Sequence, residues 1–236
     1  MNHRTAVIVG AGHGVGRETA LAMVRAGMNV VAVCANNTVP AKAPALPHRE
    51  IAHATLACDF LDEAAITEAM RLAADRYGSI DVLVNAVGGA VPRPFEQLSL
   101  DEWETQIHTG LTAVFLACKH AVGHMRKGGL IVNVASMAAK EPYANWSAYV
   151  AARHGLLGFS ATIREELRGR GIAVTVITPG ATDGLLEFGQ PEEWDSARML
   201  SSRQLADVIV QTVQLAPHAV VVVEELCVRN PTGRMK

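Results

Sequence analysis

Short apolar runs alternate with amphipathic stretches along most of the chain, a pattern that predicts strands alternating with helices. The runs are apolar at successive positions, as required of parallel strands that are covered by helices on both faces. Strands are predicted at residues 5–9, 29–34, 56–60, 81–86, 130–135, 173–177 and 219–224. The pattern indicates one α/β domain over residues 1–236, built on a doubly wound parallel sheet of about seven strands. In such a sheet, ligands bind at the carboxyl ends of the strands.

Helices are predicted at residues 17–26, 61–77, 100–127, 146–167 and 202–215, where apolar residues recur every three or four positions. The third helix begins at a capping-box pattern, Ser99 with Glu102, and can bend at Gly110. Residues 36–52 carry three prolines and little periodicity, which favours an irregular loop. Residues 182–198 form a polar, mixed segment before the last helix.

A glycine-rich stretch, GAGHGVG at residues 10–16, separates the first predicted strand from the first helix. Glycine tolerates positive φ and lets the backbone come close to a phosphate. The following helix would direct free N–H groups and its positive dipole end at an anion. The stretch therefore predicts a phosphate-binding loop, and a tight structural turn is the alternative interpretation.

The predicted helix at residues 146–167 carries a candidate proton-transfer pair. Tyr149 and Arg153 lie four residues apart, so they share one face of the helix. A nearby cation favours the phenolate form of a tyrosine, which would let the phenol exchange protons closer to neutral pH. The alternative is an exposed Tyr–Arg pair on a solvated helix face, and spacing by itself favours that alternative.

Composition and charge exclude several kinds of partner and binding site for this protein. Half of the residues are hydrophobic and the formal net charge is −2, so neither nucleic acid nor an anionic membrane is an expected partner. No apolar run reaches the length of a membrane span, and residue 5 already begins a strand, leaving no room for a signal peptide. Four scattered cysteines indicate reduced thiols in a cytoplasmic protein. His120 and His124 lack a third ligand, so no metal site is expected.

These motifs occur in an order that resembles the short-chain dehydrogenase/reductase family over nearly the whole chain. The order is Gly10-xxx-Gly14-x-Gly16, Asp59, Asn85-Ala-Val-Gly88, Ser136, Tyr149-xxx-Arg153 and Pro179-Gly180. The resemblance implies a single Rossmann-type domain that uses NAD or NADP to reduce carbonyls or oxidise alcohols. It also implies a substrate-loop insertion around residues 183–200.

The resemblance also implies roles for individual residues. Ser136 would hydrogen-bond the substrate oxygen, Tyr149 would give or take the proton, and Arg153 would hold the ribose with Tyr149. The pyrophosphate would lie on the glycine-rich loop, the adenine near the residues after the third strand, and the nicotinamide near the residues after the sixth. The implied cofactor-binding residues are Gly10, Gly12, His13, Gly14, Val15, Gly16, Asp59, Phe60, Asn85, Ala86, Gly88, Tyr149, Arg153, Pro179, Gly180 and Thr182.

Two positions depart from the family pattern in the same proton pathway. Arg153 stands where the family has lysine, and Gly110 where it has asparagine. Arginine can hold ribose hydroxyls and favour a tyrosinate, but it does not release a proton. Two hypotheses follow: an NAD(P)-dependent oxidoreductase acting on a small or medium carbonyl or secondary alcohol, and a catalytically impaired dinucleotide-binding homologue acting as a binding or assembly module.

Cofactor choice and assembly are the remaining expectations. Cys34 and Ala35 end the second strand, so nothing there repels the extra phosphate of NADP, and His13 or Arg17 could approach it. We therefore favour NADP over NAD. The predicted helices at residues 100–127 and 146–167 are apolar or small on more than one face. The family commonly pairs subunits through these helices, so a homodimer or homotetramer is expected.

Overall fold

The computed structural model describes residues 4–35, 53–184, 199–215 and 223–229, and these residues form a parallel sheet of seven strands. The spatial order is β3-β2-β1-β4-β5-β6-β7. The order reverses between β1 and β4, which creates a crevice at their carboxyl ends. The strands are β1 Thr5–Val9, β2 Asn29–Cys34, β3 His53–Ala57, β4 Ile80–Asn85, β5 Met125–Val134, β6 Ala173–Pro179 and β7 Glu225–Val228.

Helices cover both faces of the sheet. Successive residues of β1 face opposite layers: Val7 and Val9 pack with one set of helices, whereas Ala6 and Ile8 pack with the other. The first set is α2, α4 and α5, and the second is α1 and α6. The bounds are α1 Gly14–Arg25, α2 Glu63–Tyr77, α3 Leu100–Ile107, α4 Ala113–Val122, α5 Ser147–Arg168 and α6 Ser202–Leu215. The predicted doubly wound α/β fold is confirmed.

The third strand lies earlier than predicted. It ends at Ala57, so Asp59 and Phe60 belong to the turn that follows rather than to the strand. The next helix begins at Glu63 rather than at residue 61, because the Asp62 side chain accepts hydrogen bonds from the N–H groups of Ala64 and Ala65 and caps it. The capping residue Asp62 therefore sets the position at which α2 begins.

The long helix predicted at residues 100–127 is present, but it ends at Val122. It runs as α3, a π-helical turn at His108–Thr112 and α4. Gly110 lies inside the π-helical turn, the place where a bend was expected. Strand β5 then starts at Met125, five residues before the predicted start, and Met125 pairs with Ile80. Polar and glycine residues at 126–129 hide this part of the strand from an apolar pattern.

Other predictions fall partly outside the described residues. The predicted seventh strand at 219–224 lies mostly there, and the strand that pairs with β6 is β7 at Glu225–Val228. The irregular loop at 36–52 lies there too, with residues 185–198 of the expected substrate loop. The Ser99–Glu102 capping box is confirmed, since Ser99 Oγ accepts the Glu102 N–H and Glu102 Oε2 accepts the Ser99 N–H. No helix in the described ranges is both long and apolar enough to span a membrane.

A buried chain of polar side chains ties the centre of the sheet to α5. Asn85 Nδ2 donates to Asn133 Oδ1 at 2.8 Å, and Asn133 Nδ2 donates to Ser160 Oγ at 2.9 Å. Cys118 lies beside Asn85, and burial raises the pKa of its thiol to about 12. The thiol is therefore protonated at neutral pH and unreactive. The chain is a structural element that links β4, β5 and α5.

Removing the last member of this chain should destabilise the fold. Ser160→Ala leaves the Asn133 amide buried without its acceptor, so we expect the free energy of unfolding to fall by about 1–3 kcal/mol. Thr162→Ala is the matched control, because Thr162 lies exposed on the same helix, and its expected change is within about 0.5 kcal/mol. Urea unfolding of both variants measures the difference. Equal midpoints would show that the buried bond contributes nothing.

Candidate active site

The glycine-rich loop begins the crevice and is shaped by backbone contacts. The N–H groups of Gly10 and Ala11 both donate to the Val33 carbonyl, which fastens the loop to the end of β2. Gly10 has a φ of +90°, and a Cβ there would overlap the Ala86 carbonyl oxygen. A Cβ on Gly16 would likewise overlap the Gly10 carbonyl oxygen. Both positions therefore require glycine.

Helix α1 starts inside this loop and supplies an anion-binding end. Its first residue is Gly14, and its first turn contains no acidic residue. The free N–H groups at a helix start and the positive end of its dipole favour a phosphate. The loop residues fit the pyrophosphate of a dinucleotide, because bare backbone and an unopposed helix start are what such a group requires.

The residues after β4 divide between the protein interior and the crevice. Asn85 was expected to line the crevice, but its side chain is only 1% exposed and bonds to Asn133 inside the protein. Ala86 and Gly88 follow it, and the Ala86 N–H donates to the Val9 carbonyl. The Asn85 side chain therefore holds neighbouring strands together, and a cofactor would meet the backbone and small side chains beyond it.

Tyr149 and Arg153 lie in the first half of α5 and are both buried. Their exposed fractions are 8% and 3%, so the alternative of a solvated surface pair is wrong. The Arg153 Cζ atom lies 4.9 Å from the centre of the Tyr149 ring, within the range of a cation–π contact. The spacing of four residues thus brings the cation onto the Tyr149 ring, inside the protein rather than on its surface.

The Arg153 guanidinium is held by backbone carbonyls from two strand ends. Its Nη2 donates to the Val87 carbonyl at 3.1 Å and to the Gly88 carbonyl at 3.4 Å. Its Nη1 donates to the Val134 carbonyl at 3.4 Å, at the end of β5. The cation is therefore fixed between α5, the turn after β4 and the end of β5. Sequence patterns do not indicate these partners, since they lie far from residue 153 along the chain.

Ser136 lies next to Ala138, one of the residues on which Tyr149 packs. It precedes a 3₁₀ turn at Met137–Ala139, and its Oγ accepts the Ala138 N–H at 3.2 Å. Tyr149 packs on Ala138 and Ala90, and its ring meets that of Trp146 edge-on at 5.4 Å. Because the Ser136 oxygen accepts a bond, its O–H remains available to donate to a substrate.

The segment after β6 reaches the glycine-rich loop. Gly180 N–H donates to the Val228 carbonyl at 2.8 Å, and Thr182 pairs with Leu200. The Asp183 carboxylate accepts hydrogen bonds from both the backbone N–H and the Oγ of Ser202, which is the first residue of α6. Sequence analysis missed this cap, since no local pattern connects residues 19 positions apart.

One further contact brings that segment onto the loop. A Cβ on Gly184 would lie 3.0 Å from the Gly14 Cα atom and 3.8 Å from the Val15 nitrogen. Bare backbone at residue 184 therefore lies against the start of α1. The residues predicted near the nicotinamide, Pro179, Gly180 and Thr182, stand at the same end of the sheet as the loop predicted to hold the pyrophosphate.

The residues expected near the adenosine half are more exposed. Asp59 lies in the turn after β3, where its Oδ1 accepts the Leu61 N–H at 2.9 Å, and Phe60 packs partly against the core. Arg17 is exposed on α1 and pairs with Glu18 at 3.0 Å. Burial raises the pKa of the Cys34 thiol, so the end of β2 carries no negative charge at neutral pH.

The sequence matches the profile of the short chain dehydrogenase family over residues 4–190. The chain belongs to this family. It is 35% identical to a D-threitol dehydrogenase of Mycolicibacterium smegmatis over 201 residues, which cover 84% of this chain and 76% of that protein. It is 31% identical to a 3-oxoacyl-[acyl-carrier-protein] reductase of Synechocystis over 211 residues, covering 80% and 85% of the two chains.

Solved structures of this family share the fold. A dehydrogenase/reductase from Sinorhizobium meliloti superposes with a TM-score of 0.84 at 23% identity, over 97% of this chain and 94% of the other. A short-chain dehydrogenase from Burkholderia cenocepacia in complex with NADP also gives 0.84, at 22% identity and 97% coverage of both chains. This short-chain dehydrogenase is therefore an oxidoreductase of a family that binds NAD or NADP.

Proposed function

We propose that this short-chain dehydrogenase transfers a hydride between a nicotinamide cofactor and a carbonyl or secondary alcohol substrate, with Tyr149 as the general acid and base. The observation that carries the proposal is the contact between the Tyr149 ring and the buried Arg153 guanidinium. Ser136 bonds to Ala138, on which Tyr149 packs. The cofactor, when bound, supplies the redox chemistry, and the protein orients the substrate and moves a proton.

The proton steps follow from the residues present. Ser136 donates a hydrogen bond to the substrate oxygen and orients it. In the reducing direction, the Tyr149 hydroxyl gives its proton to that oxygen, while the Arg153 cation lies against the Tyr149 ring. Because arginine keeps its own proton, the tyrosinate recovers a proton from water rather than through Arg153. In the oxidising direction, the same groups act in reverse.

NADP is the cofactor that we favour. The described residues at the end of β2, Cys34 and Ala35, carry no acid that would repel a ribose phosphate. Arg17 lies exposed near the start of α1, where an additional phosphate could replace Glu18 as its partner. NADP in the Burkholderia relative is consistent with this choice.

A homodimer or homotetramer is the assembly that we propose. Phe115 on α4 is 42% exposed and stacks edge-on against Phe159 of α5, with ring centres 6.2 Å apart. The two helices thus present an aromatic pair on the outer side of their layer. Apolar surface shared by two neighbouring helices is the kind of surface that subunits bury when they associate.

One observation favours the second candidate, a dinucleotide-binding module without turnover. The Nη groups of Arg153 donate to three backbone carbonyls, which leaves fewer donors for ribose hydroxyls than a lysine ammonium would offer. Binding and turnover measured on the same protein separate the two candidates. A module would bind the cofactor and consume none with any carbonyl.

The test is an assay of NADPH and NADH oxidation by the native protein over a panel of ketones and aldehydes. We expect substrate-dependent oxidation, faster with NADPH, and a loss of about 100-fold in kcat/KM on Ser136→Ala, since a donor to the reacting oxygen is removed. Ser147→Ala is the matched control, because the Ser147 hydroxyl is buried with no hydrogen-bond partner. Tight cofactor binding without oxidation of either nucleotide would instead support the module.

A further inference from the structure

Two glycines meet at the place where the Arg153 guanidinium lies. Gly88 follows β4 with a φ of +104°, and Gly110 lies in the π-helical turn between α3 and α4. A Cβ on Gly88 would stand 2.5 Å from Arg153 Nη2 and 3.3 Å from the Gly110 Cα atom. Gly88 therefore lies directly against both the guanidinium and the backbone of the π-helical turn.

Gly110 also sets how closely α5 approaches the π-helical turn. A Cβ on Gly110 would lie 3.0 Å from the Cβ of Ala152, closer than ordinary van der Waals contact. Ala152 precedes Arg153 in α5 and is fully buried among packed side chains. A side chain at position 110 would therefore press on the part of α5 that carries Arg153.

The hydrogen bonds of Arg153 leave little room for such a displacement. The bonds to Gly88 and Val134 are both 3.4 Å long, near the limit for a hydrogen bond. The Arg153 Nε atom is buried without a hydrogen-bond partner, so it offers no compensating bond. A shift of a few tenths of an ångström at Ala152 would lengthen these bonds and move the cation relative to the Tyr149 ring.

We propose that Gly88 and Gly110 are positioning residues for Arg153, whose bare backbones let three segments close around the guanidinium and hold it against the Tyr149 ring. The catalytic role of these two glycines rests on the proposed function, because Arg153 acts on the reaction through Tyr149. The proposal makes the glycine at 110 and the arginine at 153 parts of one arrangement. A side chain at position 110 is incompatible with the observed position of the Arg153 guanidinium.

The test observes the guanidinium directly in the cofactor-free protein by nuclear magnetic resonance with labelled arginine. The Arg153 signals are assigned by their absence in Arg153→Lys. We expect native Nη resonances with slow rotation and slow exchange, and at least about tenfold faster exchange in Gly110→Ala, since broken bonds expose the group to water. Gly110 is chosen over Gly88 because the positive φ of Gly88 strains any side chain whatever it touches.

Two companion variants make the result specific. Ala152→Gly, added to Gly110→Ala, removes the atom that the new methyl group meets and should restore the native Arg153 signals. Gly158→Ala, on the same helix, adds a methyl group with nothing within 4 Å and should leave the signals unchanged. Native signals in Gly110→Ala, or no recovery in the double variant, would overturn the proposal.

Further outcomes also test the positioning role of Gly110. If Gly110→Ala does not fold, Ala152→Ser adds one atom at the same contact, and unchanged Arg153 signals in that variant refute the proposal. In turnover, Gly110→Ala should lower kcat at least about tenfold and change the cofactor KM less than about threefold, since a misplacement of about 1 Å costs about 100-fold and the shift expected here is smaller. A native protein with ordered Arg153 signals and no turnover would refute the proposed function and leave the positioning role standing.

Discussion

Tyr149→Phe is expected to lower kcat by about 10² to 10⁴-fold, the range attributed to a positioned general acid or base. The substitution removes only the hydroxyl. The ring that packs on Ala138 and meets Trp146 edge-on remains, and so does the contact with the Arg153 cation. Cofactor affinity should therefore stay within about tenfold of native, since one neutral hydrogen bond contributes about 0.5–1.5 kcal/mol.

The measurement is steady-state oxidation of NADPH with a carbonyl that the native enzyme reduces, together with a fluorescence titration of NADPH. Tyr77→Phe is the control, because Tyr77 ends α2 just before β4 starts, at the opposite end of the sheet from the crevice. That variant should keep native turnover. Turnover by Tyr149→Phe within threefold of native would remove Tyr149 from the proton step.

Gly16→Ala is expected to weaken dinucleotide binding by about 100-fold. The added methyl group would overlap the Gly10 carbonyl oxygen, so the loop or the start of α1 must move. Loss of one or two charge-assisted hydrogen bonds to a phosphate, at about 1.5–3 kcal/mol each, gives an effect of this size. The dissociation constant of NADPH, measured by fluorescence titration, reports it.

A matched variant separates this effect from the general cost of adding a methyl group. Gly169→Ala, at the end of α5, meets nothing within 4 Å and should bind NADPH as native protein does. Urea unfolding of Gly16→Ala shows whether the variant is folded at the temperature of the titration. Native affinity in a folded Gly16→Ala protein would show that the phosphates do not lie on this loop.

The parts that sequence predicts well are those with local causes. The glycine-rich loop, the strand before it and the helix after it occur where the pattern places them, because strand, turn and helix signals lie within about thirty residues. The capping box at Ser99 is likewise a contact over three residues. Each of these features is specified by side chains that touch close neighbours along the chain.

The parts that sequence does not predict depend on distant contacts. The spacing of Tyr149 and Arg153 by itself favours a surface pair. Only the carbonyls of Val87 and Val134, 66 and 19 residues away from Arg153, show that the cation is buried. The relation between Gly110 and Ala152 is of the same kind. Packing between elements decides these features, and no periodicity in the sequence records it.

The anchoring of residues 182–184 to residues 200–202 has a consequence for how this enzyme can diversify. The pairing of Thr182 with Leu200, and the bonds from Ser202 to Asp183, hold the described residues on either side of positions 185–198 to each other. Because these two sides hold each other in place, insertions and deletions between them during evolution are expected to leave both sides, and the residues around Tyr149, where they are.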